Sequence, residues 1–231
     1  MRPERLPAAD PAALALRLRQ GAAELGLVLP EPVLRRLLDY LALLAKWNAV
    51  YNLTAIRDRQ DMLVQHLLDA LSILPALRRR LDLDRATVAD VGSGAGLPGL
   101  PLAIVHPGAR LVSIEPVGKK TAFQRQACAE LALTNIEVYT GQAESLARPC
   151  DLVTCRAFAS LVDFVDAAAR LTGPTTLLAA MKGQRAGLDA EAAALPRDCV
   201  VEVEPLRVPF LDAERHLVLI RRVAPATGAA H

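Results

Sequence analysis

Along the first eighty residues apolar positions recur at helical spacing. Residues 12–27 place leucine and alanine every three or four positions. Residues 32–47 set Leu34, Leu37, Leu38, Leu41, Leu44 and Ala45 on one face and Arg35, Arg36 and Asp39 on the other, a stripe that predicts an amphipathic helix. Pro30 and Pro32 punctuate its start. Residues 61–74 predict a third helix closed by Pro75, and residues 47–54 between them are polar and aromatic with no clear period. From Thr87 onward the rhythm changes. Short apolar runs predict strands over 87–91, 110–115, 136–140, 151–155, 175–181, 200–208 and 216–222. Helices are predicted over 99–105, 119–133, 161–171 and 185–195, with a short irregular piece after Gly141. Such alternation builds a mainly parallel sheet with helices on both faces. Residues 209–215 are too short for a parallel crossover, so the final strand is expected to run antiparallel to its neighbour. The expected organisation is a helical segment over 1–82, an α/β unit over 83–223 and a flexible Ala/Pro/Gly tail over 224–231.

The first strand–helix junction carries the most informative segment, Val88-Ala89-Asp90-Val91-Gly92-Ser93-Gly94-Ala95-Gly96-Leu97-Pro98-Gly99. A strand that enters a glycine loop and then a helix N-terminus is how doubly wound folds seat a nucleotide-like cofactor. Glu115, at the end of the second predicted strand, suits a ribose diol. These two features fit a nicotinamide dehydrogenase as well as a methyltransferase. Three others favour S-adenosylmethionine. The Asp90 carboxylate suits a methionine amino group and would repel a pyrophosphate. Only one nucleotide unit exists, and it lies behind a helical segment. Gly141-Gln142-Ala143-Glu144 offers an acceptor for an adenine amine. No Gly-Lys-Ser/Thr follows the glycines, which excludes a Walker phosphate loop. The seven-strand pattern resembles the Rossmann-like class I of S-adenosylmethionine-dependent methyltransferases, here with an N-terminal helical cap.

Composition narrows the setting. The 231 residues are 52% hydrophobic with mean hydropathy +0.25, and no apolar run is long enough for a membrane span. The first twenty residues carry arginines and acids rather than a secretory core; the expectation is a cytoplasmic protein. Cys128, Cys150, Cys155 and Cys199 form no C-x-x-C pair, so neither zinc nor a disulfide framework is expected. A net charge of +2 falls short of a general nucleic-acid binder, leaving RNA contact to local patches such as Lys119-Lys120 and Arg78-Arg79-Arg80.

Several separated blocks then resemble one family. Lys46-Trp47-Asn48-x-x-Tyr51-Asn52-Leu53-Thr54-x-x-Arg57-Asp58 and His66-x-x-Asp69 precede the glycine loop. Gly118-Lys119-Lys120, Arg156-Ala157-Phe158-Ala159-Ser160, Lys182-Gly183-Gln184 and Glu214-Arg215-His216-Leu217-Val218 follow it. In this order, over about residues 46–218, they are similar to the RsmG (GidB) family of bacterial 16S ribosomal RNA guanine-N(7) methyltransferases. The resemblance implies cofactor contact at Gly92, Leu97, Ala143, Glu144 and Arg156, beside the loop's own Asp90, Gly94, Gly96 and Glu115. It departs at three positions: Glu115 stands where the family usually has Asp, Gln142 where Arg is frequent, and Cys155 where Ser is.

Guanine N(7) carries a lone pair and no proton, so its methylation needs positioning and no general base. No acid–base catalytic residue is therefore expected. Arg156, Lys182 and Phe158 are positioning candidates, and Lys119, Lys120, Lys182 and Arg215 are candidates for RNA. Duller readings compete: Phe158 as a core ring, and Arg156 and Lys182 as structural partners of Asp90 or Glu144. His216 reads as a satisfied strand histidine, and His66 with Asp69 as a brace for residues 47–54. Cys150 and Cys155 superficially resemble the nucleophile of cytosine-C5 enzymes, a reading disfavoured for Cys150 by its place before the fourth strand and for Cys155, which is better placed, by the Ser that the resembling family has there. The near-neutral charge fits 16S ribosomal RNA presented on a small-subunit ribonucleoprotein particle, acted on by a monomer without metal or membrane. The rival functions are a nicotinamide-dependent oxidoreductase and a non-catalytic ribosome-binding module.

Overall fold

Asp10 opens the first helix: its Oδ1 accepts the Ala12 N–H at 3.0 Å, capping α1 (Pro11–Glu24). The computed structural model describes residues 10–223, so the tail expected over 224–231 lies outside the described residues. α2 (Glu31–Tyr51) starts on Pro30 and Pro32 as the sequence predicts, but it runs one turn further and ends at left-handed Asn52 (φ 49°). Residues 47–51 are thus helical. Trp47 and Tyr51 lie one turn apart with ring centroids 5.1 Å from each other, a contact that an apolar stripe does not reveal.

The third predicted helix is present as one continuous helical run over residues 59–71, with a π-helical middle. Asp58 caps α3 (Arg59–Met62) by accepting the Gln60 and Asp61 N–H groups. A π-helical stretch (Leu63–Leu68) follows, then α4 (Asp69–Leu71). Pro75 opens α5 (Leu74–Arg78) rather than closing its predecessor, as suits a residue without an N–H.

The sheet holds β1 (Thr87–Val91), β2 (Arg110–Glu115), β3 (Ile136–Thr140), β4 (Cys150–Arg156), β5 (Thr172–Lys182), β6 (Cys199–Pro205) and β7 (His216–Arg222), in the order β3-β2-β1-β4-β5-β7-β6. All pairings are parallel except those of β7, antiparallel to β5 and β6, as the short 209–215 link requires. α6 (Gly99–Val105), α7 (Gly118–Glu130), α8 (Leu161–Ala167) and α9 (Leu188–Ala193) connect the strands. β5 begins earlier than predicted and β6 ends earlier. Successive strand residues face opposite ways. Val88, Leu111, Leu152, Leu177 and Leu219 join one apolar cluster; Ala89, Val112, Val153, Leu178 and Val218 join the other. The first cluster also takes Leu14, Leu37, Leu44 and Leu67 from the N-terminal helices, so those helices lie against one sheet face. α8 and α9 contribute Phe164 and Leu188 to the second. Among the described residues no helix is long and apolar enough to cross a membrane.

Candidate functional site

β1 delivers the glycine loop to the carboxyl edge of the sheet. Gly92 turns there with φ +66°, and a Cβ at this position would stand 3.2 Å from the Phe158 ring, so any larger side chain meets both strain and crowding. Gly99 is tight for another reason: its N–H donates to Oδ2 of Asp90 at 2.8 Å, and a Cβ would lie 2.7 Å from that oxygen. Oδ1 of Asp90 is buried and has no hydrogen-bond partner. Burial pushes the Asp90 carboxyl up to about 7, against the opposing pull of the Gly99 N–H and of Arg156. A carboxylate oxygen left bare in a dry site is costly and is a ready acceptor for a cationic group.

The loop is held from three directions. Glu115 accepts the Gly94 N–H at 2.8 Å and the Val117 N–H at 3.0 Å, with Lys120 Nζ 3.7 Å away. Gln124, buried on α7, donates to Ser93 Oγ and to the Gly94 carbonyl, both at 2.8 Å, and accepts from the Ser113 hydroxyl. The Tyr40 hydroxyl, buried on α2, donates to the Ala95 carbonyl at 2.8 Å. Gly96 closes the turn by donating to the Ser93 carbonyl. Sequence reasoning missed Gln124 and Tyr40. The available signal for Tyr40 was its place in the apolar stripe of α2, where a buried hydroxyl needs a partner.

Beside the loop lies a cavity of about 410 Å³ with Gly92, Ile114, Ala143, Glu144, Phe158 and Asp163 in its wall. Four residues expected at the site, Gly92, Ala143, Glu144 and Phe158, thus come together from three strand ends. Leu97 is buried in the loop; it, Asp90, Glu115 and Arg156 are not in the wall. Phe158 also packs on Phe164 with centroids 5.5 Å apart, so its ring serves core and cavity at once.

Arg156 does not pair with Asp90 or Glu144. Its NH1 donates to the Gln65 carbonyl at 3.1 Å and to Asp69 Oδ2 at 3.3 Å. Arg215 Nε donates to the other oxygen, Oδ1, at 3.0 Å. Asp69 is therefore the shared partner of two arginines, not a brace for residues 47–54. His66 does supply that brace: its Nε2 meets Thr54 Oγ1 at 2.9 Å, while Asn48 accepts the Thr54 N–H and donates to the Ile56 carbonyl. Burial and then the adjacent Arg156 charge push His66 down to about 4, so it is neutral at pH 7.

Lys182 likewise turns from Asp90 and Glu144 to Glu191 (2.8 Å) and the Phe158 carbonyl (3.2 Å), behind the loop that carries Phe158. Lys119 is exposed and Lys120 half-buried at the start of α7. The run Arg78-Arg79-Arg80 is not a free phosphate patch. Arg79 pairs with Glu204, Arg80 with Glu202 and Glu204, and Arg78 reaches His106. His216 is satisfied by the Gly183 carbonyl at 2.9 Å. Cys150 and Cys155 are buried, and burial raises both thiols above their ordinary range, which disfavours a thiolate nucleophile. Among the described residues no cluster of His, Cys, Asp and Glu could hold a metal ion.

The family model described as rRNA small subunit methyltransferase G (GidB) matches residues 33–218. The ribosomal RNA small subunit methyltransferase G of Burkholderia multivorans is 51% identical over 226 residues, covering 94% of this chain and 96% of its own. Two solved structures share the fold at lower identity. The ribosomal protein L11 methylase of Lactobacillus delbrueckii subsp. bulgaricus has TM-score 0.52 and 16% identity, over 72% of this chain and 80% of that one. A SAM dependent methyltransferase from Aquifex aeolicus has TM-score 0.50 and 19% identity, over 66% and 91%.

Proposed function

Because the chain belongs to the rRNA small subunit methyltransferase G family, we propose that it transfers a methyl group from S-adenosylmethionine to N(7) of a guanine in 16S ribosomal RNA. The observation that carries the cofactor half of this reading is the bare Asp90 Oδ1, buried near the end of β1 under the glycine loop, where a cofactor ammonium would satisfy it. Glu115 keeps spare lone pairs for a ribose diol, since a carboxylate has about four acceptor sites and two are occupied. Ala143 and Glu144, in the wall of the 410 Å³ cavity, suit the adenine. When bound, the cofactor supplies an electrophilic methyl group on a sulfonium.

The chain's own residues then bind and orient. Gly92 leaves room, Phe158 walls the cavity, Leu97 and Gly96 shape the loop, and Tyr40 and Gln124 fix it. N(7) presents its lone pair without losing a proton, so no side chain needs to act as base. Neutral His66 already meets Thr54, and the thiols of Cys150 and Cys155 are held protonated. Arg156, Arg215, Lys119 and Lys120 supply cationic edges for RNA phosphates, and Lys182 acts behind them by fixing the Phe158 loop. Residues 1–82 work as a cap on the transfer unit of residues 83–223, and the substrate is the RNA within a small-subunit particle, met by a monomer. Titration calorimetry tests the cofactor. S-adenosylhomocysteine should bind tightly to the wild type and weakly to Gly92→Val; tight binding of a nicotinamide dinucleotide with none of S-adenosylhomocysteine would contradict the reading.

A further inference from the structure

A second cavity, of about 500 Å³, opens between the loop after β5 and the loop before β7, with Gln184, Arg185, Glu214 and Arg215 in its wall. It shares no wall residue with the cavity at the glycine loop. Both open at the carboxyl edge of the parallel strands, where doubly wound sheets bind ligands. In the order β1-β4-β5-β7, β5 stands two strands from β1, roughly 10 Å at the usual strand spacing. That is the scale of a neighbouring subsite, not of a remote one.

The two arginines in this wall are fixed from behind. Arg215 donates through Nε to Asp69 Oδ1 and through NH1 to the Glu214 carbonyl at 2.8 Å. Asp69 is 3% exposed and rides on α4, just after the π-helical stretch, so the N-terminal helices reach across to set the Arg215 guanidinium. Arg185 bonds Asp189 at 2.6 Å, and its backbone N–H donates to Glu214 Oε2 at 3.0 Å. This last bond ties the two loops together and turns one Glu214 carboxylate oxygen to the backbone.

Over the whole cluster the charge cancels, since Arg156, Arg185 and Arg215 stand against Asp69, Asp189 and Glu214. Arg156 and Arg215 share the single carboxylate of Asp69, so each keeps guanidinium donors for a further acceptor. Lys182 is closed on Glu191, and neutral His66 adds nothing. A guanidinium with donors to spare can take one phosphodiester, and its planar fork fits phosphate geometry better than a point charge does. The volume lies within the range of sites for small ligands.

We propose that this cavity takes a nucleotide of the RNA strand next to the target guanine, its phosphodiester held by Arg215 and Arg185, and that Asp69 is the positioning residue that presents Arg215. The inference rests on the RNA substrate proposed above. An acidic protein surface is the competing occupant, and the test separates the two.

The test measures methyl transfer to 16S ribosomal RNA that lacks the mark, with full-length proteins over a range of salt concentrations. Arg215→Gln should raise KM for RNA roughly tenfold with kcat retained. It should also make the salt dependence shallower by about one phosphate contact, ~0.7–0.9 in logarithmic slope. Arg215→Lys should keep the slope but recover only part of KM, since lysine lacks the fork. Asp69→Asn should raise KM without flattening the slope, because both guanidiniums remain. S-adenosylhomocysteine affinity should stay within about twofold in the Arg215 variants, and Arg79→Gln, whose guanidinium is exposed and paired with Glu204 outside the cavity wall, should change neither KM nor slope.

An unchanged KM and slope in Arg215→Gln would overturn the proposal, and so would a loss confined to cofactor affinity or an equal loss in Arg79→Gln. If Asp69→Asn unfolds, the two Arg215 variants decide. If the wild type methylates no 16S RNA, the proposed function fails instead. Direct binding of the same RNA, with its salt slope read in the same variants, then decides the cavity alone: no binding, or an unchanged slope, counts against it and leaves the acidic-surface reading.

Discussion

Asp90 is the residue on which the cofactor reading turns. Its folded-state carboxyl stands at about 7 against an ordinary value of 3.8, so between those values the folded protein holds a proton that the unfolded chain has released. Stability from this group therefore falls as pH rises through that window. His66 works the other way: pushed from 6.5 to about 4, it leaves the fold less stable as pH drops through that range. A cationic ligand group on Oδ1 favours ionised Asp90. S-adenosylhomocysteine affinity should accordingly rise with pH through about 7 and level off above it, and Asp90→Asn should bind weakly at every pH. Calorimetry between pH 5.5 and 8.5 checks this; a wild-type profile without the rise would count against an amino group at Asp90. The place of Asp90 near the end of β1, just ahead of the glycine loop, was legible in the sequence because it precedes the loop at a fixed offset. The partners of Arg156 and Lys182 were not. Arg156 finds Asp69 across 87 positions, and no local pattern encodes a pairing of that range.

Between elements, the decisive contact is α2 with the glycine loop. Tyr40→Phe removes only the hydroxyl, leaving the buried Ala95 carbonyl without its donor, at a cost of about 1–3 kcal/mol. A lower melting temperature together with weaker S-adenosylhomocysteine binding is expected. Lost stability with unchanged affinity would reduce Tyr40 to a packing residue. Strands β1, β2, β3 and β7 were legible to the residue because their apolar runs end at glycine, charge or proline punctuation. Helix ends were less so. Residues 47–51 hide a last helical turn because Trp47 and Tyr51 stack with each other and on α7, where Trp47 meets Phe123 at 5.7 Å, instead of extending the leucine stripe. Residues 61–74 read as one helix, yet its middle is a π-helical stretch, and π-bulges frequently accompany functional sites. Here it precedes Asp69, the carboxylate that holds Arg156 and Arg215.

For the whole molecule, one apolar cluster runs from α1 and α2 into the sheet, and the glycine loop hangs from both. The topology was legible because a short link between the last two strands permits only an antiparallel return. The site was legible only in part: composition and spacing led to the loop, but not to the cavity beside β7. The central claim is that this chain places a methyl group on N(7) of a guanine in 16S ribosomal RNA. The most direct test maps N(7)-methylguanosine across ribosomal RNA from cells with the protein, without it, and with Asp90→Asn in its place. The expected result is one 16S guanine that loses its mark without the protein, regains it with the wild type, and fails to regain it with the variant. An unaltered set of N(7) marks in cells lacking the protein, or a lost mark on cytosine instead, would contradict the claim.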